Sequence, residues 1–266
     1  MRSVFRLFLL FLCLTGFVQA ADDRPYQIAI IIDDLGNDYR SAKRALELPG
    51  DVTYAVLPQL RQSWRIGEKA YALGREVMIH LPMQSLMNNR LGPGGLTGEM
   101  GLQDYADMLD KNLKSVPWAL GVNNHMGSLL TTSTDHMDWL MQVLKARGLY
   151  FIDSRTNTKT VAQQSALSAG VATARRDIFL DNERDPEYIR NQYLKLLKQA
   201  KRKGYAIGIG HPYKETMDVL AKELPLLEQA GYKLVPVSAI LSDQRNNQKW
   251  LASSSPSPKA AKNSKQ

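Results

Sequence analysis

The 266 residues are 44% hydrophobic, ample for one large core. The formal net charge is +8, but seven Lys and Arg lie in residues 1–20 and 245–266, which hold no acid, and the body between is left at about +1; that excludes the basic face needed to bind a nucleic-acid backbone. The single cysteine, Cys13, sits in an N-terminal leader, so the mature chain is expected to have no disulfide, thiol nucleophile or thiolate metal site.

Arg2 and Arg6, the apolar run Leu7–Val18 and the small-residue end Val18-Gln19-Ala20 form a secretory signal peptide over residues 1–20. Its apolar core is too short to span a bilayer. The protein is therefore expected to be exported to the periplasm, with no stable membrane insertion after cleavage. The next stretch, IAIIIDDLG (28–36), is an apolar run ending in Asp33 and Asp34. Such a run reads as a strand buried on both faces of a parallel sheet, with Gly36 allowing a sharp turn. By itself an Asp-Asp pair is as often a solvated turn as a site.

A helix over 41–48 follows, then a strand over 52–57, a helix over 63–73 stopped by Gly74, and a strand over 76–81 carrying His80. The glycine-rich stretch 88–101 lacks the Gly-Lys-Ser/Thr ending of a phosphate loop and reads as a mobile rim loop or lid. Leu102, Tyr105, Leu109 and Leu113 recur at helical spacing, giving a helix over 102–115. A strand over 119–123 runs into NNHMGS with His125. A helix marked by Met137, Leu140, Met141 and Leu144 ends at Gly148, and the strand 149–153 ends in Asp153, Ser154 and Arg155. A helix near 159–168 and short strands near 171–174 and 178–181 come next. Asp185-Pro186 starts a helix that runs to Lys203. The strand 205–209 leads to His211, a helix from about 214 is interrupted at Pro225, and a last strand covers 233–237. Residues 245–266 form a basic, low-complexity tail.

The β-α alternation indicates a single α/β domain over 26–244 with mostly parallel strands, a deformed (β/α)7-8 barrel rather than an open sheet. No Gly-x-Gly-x-x-Gly follows the first strand, which counts against a dinucleotide fold.

His80, His125 and His211 lie at or just past the ends of predicted strands, as do Asp33 and Asp34, whereas His136 falls in the first turn of a helix. In a parallel barrel those strand ends gather at one mouth. Two imidazoles and one carboxylate make an open zinc site with a position left for water, and hydrolysis then needs a base and an acid. Five residues stand for five roles.

The pieces IIDDLG, IHLPMQ, NNHMGS, FIDSRT and IGIGHP, in that order over about residues 26–242, resemble the YibQ-like divergent polysaccharide deacetylases, a branch of the polysaccharide deacetylase superfamily of carbohydrate esterases. The resemblance implies a deformed barrel and a mononuclear His-His-Asp site for Zn2+ or another divalent metal. It implies Asp33 as catalytic base, Asp34, His80 and His125 as metal ligands, and His211 as general acid. It further implies that Asp153 and Arg155 stand behind the site, tuning the acid and orienting the base; alone, Asp153 reads equally as a helix cap and Arg155 as a surface ion pair. Asp181 and Asn182 end another short strand and are candidates to line the mouth. The expected substrate is an acetylated glycan of the envelope, peptidoglycan included. The competing class is a non-catalytic envelope protein that binds glycan or protein on a retained barrel. A phospho-receiver is disfavoured by export and length, and a glycosidase by the adjacency of the two carboxylates.

Two features depart from the superfamily pattern. His80 has no second histidine nearby, so the next ligand must come from another strand. Consecutive strand residues also point to opposite faces, so Asp33 and Asp34 can share a site only where the backbone turns.

Overall fold

The computed structural model describes residues 25–244; the leader read over 1–20 and the basic tail over 245–266 lie outside the described residues. The first strand, β1 (Tyr26–Leu35), shows why its sequence is apolar throughout. Ile28, Ile30 and Ile32 pack outward into the large core beneath the helices, while Ala29 and Ile31 join a second, smaller core on the other face. A strand covered on both sides has no polar face to offer.

Along the chain follow α1 (Tyr39–Leu46), β2 (Thr53–Val56), α2 (Ser63–Ala72), β3 (Val77–Met83), α3 (Leu102–Ser115), β4 (Ala119–Met126), α4 (Thr134–Ala146) and β5 (Tyr150–Asp153). Then come α5 (Ala162–Ala169), β6 (Thr173–Arg175), β7 (Ile178–Phe179), α6 (Pro186–Lys203), β8 (Tyr205–Gly210), α7 (Lys214–Glu223) and β9 (Tyr232–Leu234). Every strand pair is parallel, in the order β6-β5-β4-β3-β2-β1-β8-β7, with β9 beside the start of β1. β6 and β7 stand at opposite ends of that order yet are linked by only Arg176 and Asp177. The sheet must therefore curl until its ends meet, leaving a seam without a hydrogen-bonded ladder. This is the deformed α/β barrel expected from the sequence. No described helix is long and apolar enough to cross a membrane.

Several boundaries move for identifiable reasons. The α1 helix begins two residues earlier than read because the Asp38 carboxylate accepts the N–H groups of Arg40 and Ser41 at 3.1 and 3.0 Å. β3 and β4 run on past His80 and His125, so both histidines lie within strands. The segment after β9 turns at Pro236 instead of extending to 237. Val235, Val237, Ile240 and Leu241 then close the lower end of the barrel interior against Ala29, Ile31 and Ile207. The glycine-rich loop is tied down at its centre. Leu96 is buried, donates its N–H to Pro82 at 2.9 Å and accepts from Gln84 at 3.0 Å, and Gly94 accepts from Asn112 at 2.9 Å.

Interior space is tight where β4 meets β5. Gly121 pairs with Tyr150, and a Cβ at residue 121 would lie 2.2 Å from atoms of the tyrosine ring. Gly121→Ala is expected to destabilise the protein by about 3 kcal/mol, the upper range for overpacking a core. The midpoint of urea unfolding reports it.

Candidate active site

Strand alternation selects the residues of the barrel mouth. Ala29 and Ile31 face the interior, and two residues on is Asp33; Met78 likewise leads to His80, and Ile209 to His211. On β4 the interior position Gly121 leads to Asn123 and then His125. The short β2 places Ala55 in this inner cluster and ends at Val56, so β1, β3 and β4 converge above it.

The conflict between Asp33 and Asp34 is resolved by a bulge. Between β1 and β2 the register shifts, Ile32 pairing with Tyr54 but Leu35 with Val56. Asp34 takes up the extra residue in a left-handed conformation, φ 59°. That non-glycine strain rotates its carboxylate to the side Asp33 already faces. Gly36 follows at φ 140°, where a Cβ would lie 2.9 Å from the Leu57 carbonyl.

Three donor atoms close a small triangle. Asp34 Oδ1 lies 3.2 Å from His80 Nε2 and 3.0 Å from His125 Nδ1, and the two nitrogens are 3.1 Å apart. A tetrahedral zinc with bonds of about 2.0–2.1 Å has ligand-to-ligand edges of about 3.3 Å. Asp34 Oδ1 is buried and forms no hydrogen bond despite these neighbours. A converging set of lone pairs around an orphaned carboxylate oxygen fits a divalent cation; these three residues form a group able to hold one.

The tautomer of His80 is set from behind. Asp33 Oδ1 accepts from Asn123 Nδ2 at 2.8 Å, and Asn123 Oδ1 lies 2.8 Å from His80 Nδ1. A carboxylate only accepts, so Asn123 turns its amide nitrogen to Asp33 and its oxygen to His80. Nδ1 of His80 then carries a hydrogen, and Nε2 is the ring nitrogen that faces Asp34. Asn123 thus links Asp33 to His80 and orients both.

Across the cavity, His211 is held by Asp181. Asp181 Oδ1 is 2.9 Å from His211 Nδ1, and its Oδ2 accepts the His211 backbone N–H at 2.6 Å and the Thr216 hydroxyl at 2.8 Å. Nε2 of His211 is left facing the site, 3.8 Å from Asp34 Oδ2.

The electrostatics differ between the two aspartates. Burial pushes the Asp33 carboxyl up, against the opposing pull of His80, His211 and Asn123. Burial also raises Asp34, but His125 and His80 outweigh it and hold the group well below the usual carboxylate range. For His80, burial lowers the pKa and the charges of Asp33 and Asp34 more than reverse this, to about 9. His211 is likewise lowered by burial and raised on balance by Asp181. Two carboxylates with unlike environments suit unlike tasks.

The structure brings Asp33, Asp34, His80, His125 and His211 to one cavity of about 690 Å³. Asp153 and Arg155 stand differently toward this cavity. Asp153 shares the parity of Phe151, which packs outward, so its side chain leaves the barrel interior. It accepts from the Arg155 N–H at 2.8 Å and the Thr160 hydroxyl at 3.1 Å, shaping the loop that leads to α5. Its hydrogen bonds among the described residues do not reach Asp33 or His211. Arg155, at φ 55°, lines the cavity, and its guanidinium donates to the Thr158 carbonyl at 3.3 Å. The supporting contacts come instead from Asn123 and Asp181. Asn182 lines the cavity, whereas Asp181 lies behind His211. The sequence held one signal for Asn123: it stands two residues before His125, on the same face of the strand.

Residues 30–241 match the family described as divergent polysaccharide deacetylase. The protein YibQ of Escherichia coli is 34% identical over 236 residues, covering 88% of this chain and 72% of its own length. Among solved structures, ATU2773 from Agrobacterium tumefaciens superposes with a TM-score of 0.79 at 22% identity, covering 83% of this chain and 91% of that one. A mutant of BA3943 from Bacillus anthracis, described as a CE4 family pseudoenzyme with restored enzymatic activity, superposes at 0.50 with 15% identity, covering 82% of this chain and 68% of that one. The two superpositions speak to the fold alone. The match across nearly the whole body, and the identity to YibQ, establish that the chain belongs to the divergent polysaccharide deacetylase family.

Proposed function

We propose that the protein is an exported, zinc-dependent hydrolase that removes N- or O-acetyl groups from an envelope polysaccharide, with peptidoglycan a fitting substrate. The observation that carries this reading is the triangle of Asp34, His80 and His125 around the unpartnered Asp34 Oδ1, flanked by Asp33 and His211. Family membership supports the substrate class, and the leader over 1–20 supports export to the periplasm.

Asp34, His80 and His125 would hold the ion, zinc fitting two imidazoles and a carboxylate with an open position. A bound divalent ion supplies a Lewis acid for the acetyl carbonyl and lowers the pKa of water. Asp33, buried and fixed by Asn123, takes the proton of the attacking water. The water oxygen bonds to the acetyl carbon, and the bond from that carbon to the sugar nitrogen or oxygen breaks. His211, whose pKa Asp181 raises, delivers its proton to the departing amine or alcohol. Acetate and a free amino or hydroxyl group on the sugar are the products.

A non-catalytic binder on the same barrel is the competing reading, and metal content with acetate release separates the two. The purified mature protein is expected to carry one equivalent of divalent metal by elemental analysis, and His125→Ala to lose it. Release of acetate from an acetylated glycan should accompany the metal. Wild-type protein that takes up no stoichiometric metal would sink the hydrolase reading.

A further inference from the structure

We propose a second, non-catalytic glycan-binding site at the end of the barrel opposite the mouth. Its base is α2, where Trp64, Gly67 and Tyr71 share a face two turns long. Trp118, at the entry to β4, lies on Gly67, where a Cβ would approach its ring to 3.3 Å. Trp64 meets that ring edge-on at 5.0 Å and 64°, and Tyr71 stacks on it at 5.9 Å and 25°. The aromatics on α2 remain open to solvent, Trp64 by 51% and Tyr71 by 61%, with Leu120 beside them at 53%. Continuous exposed aromatic surface on this scale marks a binding face.

A cavity of about 260 Å³ adjoins it, formed by the ends of the sheet where β2, β3 and β4 begin. Tyr71, Trp118, Leu120 and Pro236 give it apolar walls, and Asp51 and Arg75 a polar edge. Arg75 pairs with Asp51 at 3.7 Å and donates to the carbonyls of Gly50 and Leu48, and Glu76 adds a carboxylate held by Thr53, Tyr150 and Ser238, so the edge carries no positive surplus.

These features select the occupant. An edge of two carboxylates and one arginine offers nothing to an anionic polymer. Exposed Trp64 and Tyr71 rings beside the carboxylates of Asp51 and Glu76 match a pyranose ring, which is apolar on its face and carries hydroxyl donors at its rim. The ligand class is therefore a neutral polysaccharide. The choice of an acetylated probe rests on the proposed function; the site itself does not. Holding a distant stretch of polymer would raise the local concentration of acetyl groups at the mouth.

The test is calorimetric binding of two neutral hexamers, one of N-acetylglucosamine and one of glucose, to the full chain. Asp34→Asn, at the other end of the barrel, should keep the binding. Trp64→Ala/Tyr71→Ala should weaken it at least about tenfold, as for removal of exposed aromatic anchors. Tyr71→Phe, which keeps the stacking ring, should bind like wild type, and an unchanged melting temperature shows that the fold is intact. Binding of either hexamer through Trp64 and Tyr71 supports the site whatever becomes of the deacetylase reading. The inference is overturned if neither hexamer binds. It is equally overturned if the aromatic double variant binds as wild type does, or if all binding is lost in Asp34→Asn.

Discussion

Asp33→Asn is expected to leave the metal content unchanged while acetate release falls by about 10²–10⁴-fold, the contribution of a positioned general base. The substituted side chain keeps an oxygen able to accept from Asn123 Nδ2, so the contact at 2.8 Å survives and His80 stays oriented. What disappears is the capacity to take a proton. Asp34→Asn should do the opposite first: metal is lost, because Asp34 Oδ1 is the atom that closes the triangle with His80 and His125. Activity then falls as a consequence. Elemental analysis and acetate assay on the two variants side by side measure both effects. If the variants behaved alike, the separation of base from ligand would be wrong. Because the two residues are adjacent, generalised damage to the strand would affect them equally, so a split outcome is specific.

His211→Ala is expected to suppress acetate release according to the leaving group. Removal of an N-acetyl group expels an amine that needs a proton, so the loss should reach about 10²–10³-fold. An aryl acetate expels a phenolate that needs none, and its hydrolysis should fall far less. Equal losses on both substrates would assign His211 to binding and not to proton delivery. Asp181 provides the companion test. Its carboxylate raises the His211 pKa over the opposing effect of burial. Asp181→Asn should therefore move the alkaline limb of the rate profile to lower pH, because the imidazolium then gives up its proton earlier. The direction of that move separates an electrostatic contribution from a loss of fold, which would lower the rate at every pH.

Much of the barrel was legible because hydrophobic patterning and chain stops act locally. The uninterrupted IAIII run, Gly74 and Gly148 after helices, and the Asp185-Pro186 start each depend on a few neighbouring residues. The reading failed where distant groups set the boundary. Pro236 and the apolar residues after it serve as the floor of the barrel, and the glycine-rich stretch is held by Pro82, Gln84 and Asn112. Nothing in the local composition of 88–101 announces those partners.

The site divides in the same way. Residue type and position at strand ends brought out Asp33, Asp34, His80, His125 and His211, because a parallel barrel gathers the ends of its strands by construction. The contacts by which Asn123 and Asp181 support them could not be read. Asn123 matters because the β3–β4 register sets it opposite His80, and because short β2 lets it reach Asp33 across the interior. Asp181 matters because the pairing of Phe179 with Ile209 carries on to bring it beside His211. Asp153 points outward for a related reason: one step of strand parity turns its carboxylate away from the mouth. The sequence by itself thus determined the alternation of elements and which chemical groups reach one end of the barrel, since both follow from periodicity. Only the tertiary structure decided which of those groups touch, because register, the bulge at Asp34 and the meeting of strands far apart in the chain are properties of pairing, not of any segment alone.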